Sequence, residues 1–176
     1  MTDLMKRVGE RAVGLIVLDI SDLEASIPLE ILDRLQEKGN KLVIVLNKQD
    51  VLPHSVKPHR VKHWARTFLR QKHPIFERVS ASDIHLVSSK NGKGMNNLVQ
   101  KLKTAVRNVD GYQNSYLYVL GATNSGKSSL ITELRKATKK CKTKRKSPKL
   151  KFAHSFPPST HFNSQRSNFC EKSVFH

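Results

Sequence analysis

The chain has 176 residues, with 32 Lys and Arg against 14 Asp and Glu and a formal net charge of +18. That length suits one domain around a single core, and the lack of an apolar run of about 18 residues excludes a predicted membrane-spanning helix. Its two cysteines, Cys141 and Cys170, form neither a C-x-x-C pair nor a zinc-type Cys/His spacing, so neither a zinc site nor a disulfide framework is argued, and a reducing compartment suits them.

Met1 to Arg7 contains no apolar signal region, and Asp3 and Glu10 are foreign to a transit peptide. The first predicted strand, Gly14 to Ile20, is a continuous apolar run that leads into Asp19-Ile-Ser-Asp22. A helix is expected over Leu29 to Lys38, opened by Pro28 and closed by Gly39, a good start-and-stop pair. The second strand, Lys41 to Leu46, ends in Asn47-Lys48-Gln49-Asp50. This N-K-x-D pattern has the chemistry to read guanine. The Asp50 carboxylate can accept from N1–H and from the exocyclic N2 amine, which adenine cannot offer in that place. Asn47 can reach the base edge or brace a neighbouring loop, and the Lys48 stem can lie over the base plane. Such a site rejects an analogue that leaves its polar groups unpaired.

A second helix is expected over Val56 to Lys72. His59 and His63 lie four apart on it, but with no carboxylate or cysteine nearby in sequence they read as solvated helix-face residues. Trp64, with Val61, Phe68 and Leu69, is expected to pack that helix onto the sheet. The third strand, Asp83 to Ser88, runs into Ser88-Ser89-Lys90 and then a loop, Asn91-Gly92-Lys93-Gly94. A third helix follows over Met95 to Val109, then a fourth strand over Ser115 to Leu120.

That strand opens directly into Gly121-Ala-Thr-Asn-Ser-Gly126-Lys127-Ser128, which satisfies G-x-x-x-x-G-K-[ST]. A helix is expected from Lys127 to Lys139. Backbone N–H groups at such a helix start, together with the helix dipole, favour anionic phosphate. Asn124, Ser125, Gly126, Lys127, Ser128 and Ser129 are assigned to phosphate binding, with Lys127 reaching the outer phosphates and the Ser128 hydroxyl on Mg²⁺. The alternation of apolar strands and helices predicts an α/β fold with a parallel sheet covered on both faces. In such sheets ligands bind beyond the strands' carboxyl ends, where all three motifs fall.

The order of these motifs is unusual, because the base-reading elements at 47–50 and 88–90 precede the phosphate loop at 121–128. In this order the chain resembles the circularly permuted GTPases, and most closely the YqeH and nitric-oxide-associated (mitochondrial) GTPase family. Beyond the three motifs, the stretches that carry the resemblance are Leu15-Ile-Val-Leu-Asp19-Ile-Ser-Asp22, Gly39-Asn40, Asn47 to Pro53, Leu86 to Gly92 and Leu117 to Leu130. It covers about Val13 to Leu134 of this sequence. The resemblance implies a P-loop GTPase-like sheet, GTP or GDP with Mg²⁺ as ligands, and Asn47, Lys48, Asp50, Ser88, Ser89 and Lys90 on the base side. It also implies a link to ribosome assembly, with ribosomal RNA or the small subunit as partner, and mitochondrial residence, cytoplasmic residence being the alternative.

Three departures from that family shape the expectations. No switch Thr and no D-x-x-G glycine follow Leu134, so nucleotide binding with little turnover is expected and no catalytic residue is assigned. The paired-cysteine zinc module common in the family is not found. From Lys136 onward, eleven Lys and Arg stand against one acid, Glu171, without a helical or strand period. Residues 1–135 are therefore read as an incomplete G domain and 136–176 as a disordered basic tail. That tail can be a solvated end, a nucleic-acid-binding arm, or an end produced by truncation or splicing. An incomplete sheet would also leave the Ser115 to Leu120 strand as an exposed apolar edge. A basic RNA-binding module with a vestigial nucleotide pocket is the alternative function.

Overall fold

The computed structural model describes residues 12–37, 40–110, 116–140 and 151–154. Its elements in chain order are β1 (Ala12–Asp19), α1 (Leu29–Glu37), β2 (Lys41–Asn47), α2 (Pro58–Lys72), β3 (Ile84–Leu86), α3 (Met95–Asp110), β4 (Tyr116–Leu120), α4 (Lys127–Lys140) and β5 (Lys151–His154). Short 3-10 turns occupy Gln49–Val51, Pro74–Arg78 and Ala81–Asp83. The strands form one sheet in the order β3-β2-β1-β4-β5, and every neighbouring pair is parallel.

The continuous apolar runs have a simple physical use. Successive side chains of a strand point to opposite faces, so a run without polar interruptions serves two cores at once. In β1, Val13, Leu15 and Val17 join the core beneath α3 and α4, while Ile16 and Leu18 join the one beneath α1 and α2. β2 divides likewise, with Val43 and Val45 on one side and Leu42, Ile44 and Leu46 on the other. Leu15, Ile16, Leu18, Ile44 and Leu46 are fully buried, each gaining about 1.5–3 kcal/mol from leaving water. Register then aligns the functional ends: Asp19 pairs with Asn47, and Leu46 with Leu86.

The expected α/β class and its helix-covered parallel sheet are what the structure has. The helix bounds shift slightly for local reasons. α2 begins at Pro58, not Val56, because a proline at the first helical position has no N–H to leave unsatisfied. β3 starts at Ile84, because Asp83 closes a 3-10 turn by a capping box with Ser80. Gly39, Ser115, Cys141 and Cys170 lie outside the described residues.

Two expectations are corrected. α4 runs to Lys140, and a short strand, β5, stands at Lys151–His154. Because β5 pairs along Tyr116↔Lys151, Leu117↔Phe152, Tyr118↔Ala153 and Val119↔His154, β4 is an interior strand and not an exposed edge. Unpaired N–H and C=O groups along a strand accept any extended backbone, whatever side-chain pattern it carries, so composition did not reveal this pairing. Trp64 is the second correction. It is 51% exposed and stacks on Phe68 with ring centroids 5.8 Å apart. Val61, Ala65 and Leu69 fill the core stripe of α2 at four-residue spacing, and Trp64, one residue before Ala65, is turned about 100° away from it.

Candidate functional site

The chain's polar loops converge at the carboxyl ends of the strands. Backbone bonds hold them level: Val87 N–H donates to Leu46 O at 2.9 Å, Gln49 N–H to Val87 O at 2.9 Å, and Ile20 N–H to Asn47 O at 3.1 Å.

Asn47 is the centre of the arrangement. It is completely buried, as an amide with both ends bonded can be. Its Nδ2 donates to the Ser125 carbonyl at 3.0 Å, and its Oδ1 accepts from the Ser89 N–H at 3.1 Å. One side chain thus ties the 47–50 loop to both the 88–90 loop and the 121–128 loop. Of the two roles left open for Asn47 by its sequence, the structure shows the brace. It also shows why position 126 is glycine. Gly126 has φ +86°, and a Cβ there would stand 2.2 Å from Asn47 Nδ2.

Asp50 is exposed, and the buried Ser88 hydroxyl donates to its Oδ1 at 2.5 Å. That hydrogen bond, with the nearby Lys90 and Lys48 charges, holds the carboxyl below its ordinary range. The result is an ionised, outward acceptor standing on a buried support. Ser88 also accepts from the Asn91 N–H at 3.3 Å and its N–H donates to Lys93 O at 3.0 Å, so the loop is tied to itself. The Ser89 N–H goes to Asn47 and serves the brace.

Lys48 takes a left-handed backbone (φ 66°), and its ammonium pairs with Asp19 Oδ2 at 2.5 Å. Burial alone would raise the Asp19 carboxyl, but Lys48 and the Ser21 hydroxyl and N–H bring it below its ordinary value. Asp19 and Ser26 also frame the site, though neither was assigned to it from sequence. Ser26 accepts the Asp19 N–H at its hydroxyl (3.1 Å), and its carbonyl accepts the Ala122 N–H at 3.4 Å. This links β1 to the phosphate-type loop. The Asp-x-x-Asp pattern was a signal for Asp19; nothing in the sequence marked Ser26.

In the 121–128 loop, Asn124 (φ 63°) and Gly126 take left-handed conformations, and the Leu130 N–H closes onto Gly126 O at 2.9 Å as α4 starts. Lys127 is 4% exposed and donates to the carbonyls of Gly121 (2.9 Å) and Ala122 (2.6 Å). Burial lowers its pKa, since desolvation penalises the ammonium. Ser125 is buried, whereas Ser128 and Ser129 are exposed in the first turn of α4. Among the described residues no three His, Cys, Asp or Glu side chains cluster as a metal site, and His59 and His63 are exposed.

No protein-family profile matches the chain. Individual proteins do. "Uncharacterized protein YqeH" of Bacillus subtilis is 31% identical over 97 residues, which are 54% of this chain and 23% of that protein. "Uncharacterized GTP-binding protein MJ1464" of Methanocaldococcus jannaschii is 30% identical over 129 residues, 73% of this chain and 30% of the relative. "NO-associated protein 1, chloroplastic/mitochondrial" of Arabidopsis thaliana is 26% identical over 127 residues, 72% of this chain and 20% of its own length. The chain therefore spans between 20% and 30% of the length of these relatives. With the 47–50 and 88–90 loops ahead of the 121–128 loop on one parallel sheet, and with these relatives, the chain belongs to the circularly permuted GTPases of the YqeH and nitric-oxide-associated family.

Proposed function

We propose that the chain binds a guanine nucleotide, GDP or GTP, across the carboxyl ends of β2, β3 and β4. The observation that carries this reading is the Asn47 brace, which makes three loops distant in sequence into one unit. In this reading Asp50 accepts the N1–H and N2 amine of guanine, with Ser88 keeping it ionised and oriented. Lys48 and Lys90 flank the base. Backbone N–H groups from Asn124 to Ser129 and the Lys127 ammonium hold the phosphates. Lys127 now spends its protons on the carbonyls of its own loop, and phosphate oxygens would exchange for them with charge-assisted bonds.

Ser128 fits Mg²⁺ as a single hard oxygen ligand, because Mg²⁺ keeps several waters and takes its other ligands largely from phosphate. The ion would neutralise phosphate charge. Among the described residues there is no D-x-x-G sequence, and the reading is therefore binding; no catalytic residue is assigned. The printed name of the Arabidopsis relative supports an organellar location. A ribosomal partner rests on family resemblance.

Competition against a fluorescent GDP tests the reading. GDP and GTP are expected to displace it and ATP to fail at a hundredfold higher concentration. Equal displacement by ATP would sink the base-reading role of Asp50. A second check is thermal, since a ligand that binds the native state must raise the melting temperature.

A further inference from the structure

We infer that α2 carries a binding surface for single-stranded nucleic acid, centred on Trp64 and separate from the nucleotide site. From Pro58 to Lys72 the helix contains Arg60, Lys62, Arg66, Arg70 and Lys72 and not one Asp or Glu. Lys57 precedes it directly. α1, by contrast, carries Glu30, Asp33 and Glu37 against Arg34 alone, so of the two helices on that face of the sheet only α2 is cationic. Among these cations Lys72 is spoken for by Glu24. Arg66 and Arg70 donate to backbone carbonyls, of Val79 and Glu77.

The aromatic pair is the second, independent observation. The core stripe of α2 is already filled by Val61, Ala65 and Leu69, so packing does not require Trp64, which remains 51% exposed. Phe68, partly buried, supports it from below at 5.8 Å and 25° between ring planes, and the Lys72 ammonium lies 5.1 Å from the Phe68 ring centre. This makes a stacked ring pair whose indole is half exposed. Arg60, four residues before Trp64, shares its side of the helix by the 3.6-residue period, and Lys57 stands at the amino end of the same helix. Stacking platforms flanked by cations are how proteins hold unpaired nucleotides: each base offers a π face, and the backbone offers the phosphates. A membrane surface is the poorer match, because it needs an unburied apolar helix face, and that of α2 faces the core. An acidic protein surface would match the cations but leaves the exposed indole without a reason.

Trp64 is the sole tryptophan of the chain, so its emission reports this surface directly. The full chain is titrated with an unlabelled oligouridylate of about a dozen residues, with the same length of oligothymidylate, with a duplex, and with poly-glutamate. Both single strands are expected to quench Trp64, the duplex far less, and poly-glutamate not at all. A preference of the RNA over the DNA strand would distinguish the two sources. In anisotropy with a labelled strand, Trp64→Ala is expected to weaken binding about tenfold and Trp64→Phe only about twofold, with Lys57→Glu/Arg60→Glu weakening it further and flattening the salt dependence. Tight binding that leaves Trp64 emission unchanged would put the nucleic acid elsewhere on this basic chain and overturn the inference. So would an affinity unaltered by Trp64→Ala in a protein whose melting temperature matches the parent, or equal quenching by poly-glutamate.

Discussion

The two ends of the sheet use the same chemistry to opposite ends. At the amino end, Asp83 is almost wholly buried and is held by Lys101 at 2.7 Å, Lys41 at 3.2 Å and Ser80 at 2.5 Å. Lys101 also donates to Ser82 at 3.2 Å, and what this cluster shows to solvent is the Lys41 ammonium and the Ser80 residue, not the carboxylate. At the carboxyl end, Asp19 is held by Lys48, Asn47 is buried between two loops, and Ser88 grips Asp50 from below. That network ends on an exposed carboxylate. The lesson is that buried carboxylates are costly unless paired, so Asp83 and Asp19 each have a lysine, and what separates the two ends is what reaches solvent: a cation at one, an anionic acceptor at the other.

Four changes break or sharpen that contrast. The largest effect is expected for Gly126→Ala, where a Cβ would meet Asn47 Nδ2 in a left-handed backbone. GDP is expected to give no thermal stabilisation of this variant at concentrations that stabilise the parent; retained stabilisation would show that the brace is not needed. Next is Asp50→Asn, expected to lose about a hundredfold in GDP affinity and to gain affinity for xanthosine diphosphate. The xanthine 2-oxygen accepts where guanine donates, so the swapped amide restores the match. Because Asp50 is exposed, the melting temperature without ligand should be unaltered.

Asp83→Asn comes third and belongs to the other end. Burial would raise the Asp83 carboxyl, but Lys101, Ser80 and Lys41 bring it down to about 2. A depressed carboxylate contributes stability that is fully present above its unfolded value near ~4 and is lost as pH falls through the folded value. The variant is expected to lose about 2 kcal/mol in urea unfolding at neutral pH. That deficit should shrink as pH falls from about 4 to about 2, while GDP affinity at neutral pH equals the parent's. A deficit that persists at pH 2 would mean the loss is packing, not charge. The smallest effect is expected for Ser88→Ala, about tenfold in GDP affinity. Without that hydroxyl the Asp50 carboxyl rises toward its ordinary value, so the acid limb of GDP binding should move to higher pH. An unshifted limb would remove Ser88 from its supporting role.

Much of the molecule was legible before folding, because the informative patterns are local. Apolar runs between Pro28, Asn47 and Gly121 located β1, β2 and β4 to within two residues in the described parts, and the three loops stood out by residue type and spacing. Local patterns did not carry the partners. Asn47 meets residues 42 and 78 positions away, and nothing at Ser89 or Ser125 announces it. The pairing of Lys48 with Asp19, the place of Ser26, the seating of Lys151–His154 against β4, and the outward turn of Trp64 are all of this kind. Each depends on which backbone edge or side chain lies opposite once the sheet has formed. Periodicity and motif spacing are properties of neighbours along the chain, so strands, helices and loop chemistry followed from sequence. Pair satisfaction and solvent exposure are properties of neighbours in space, and only tertiary packing decided them.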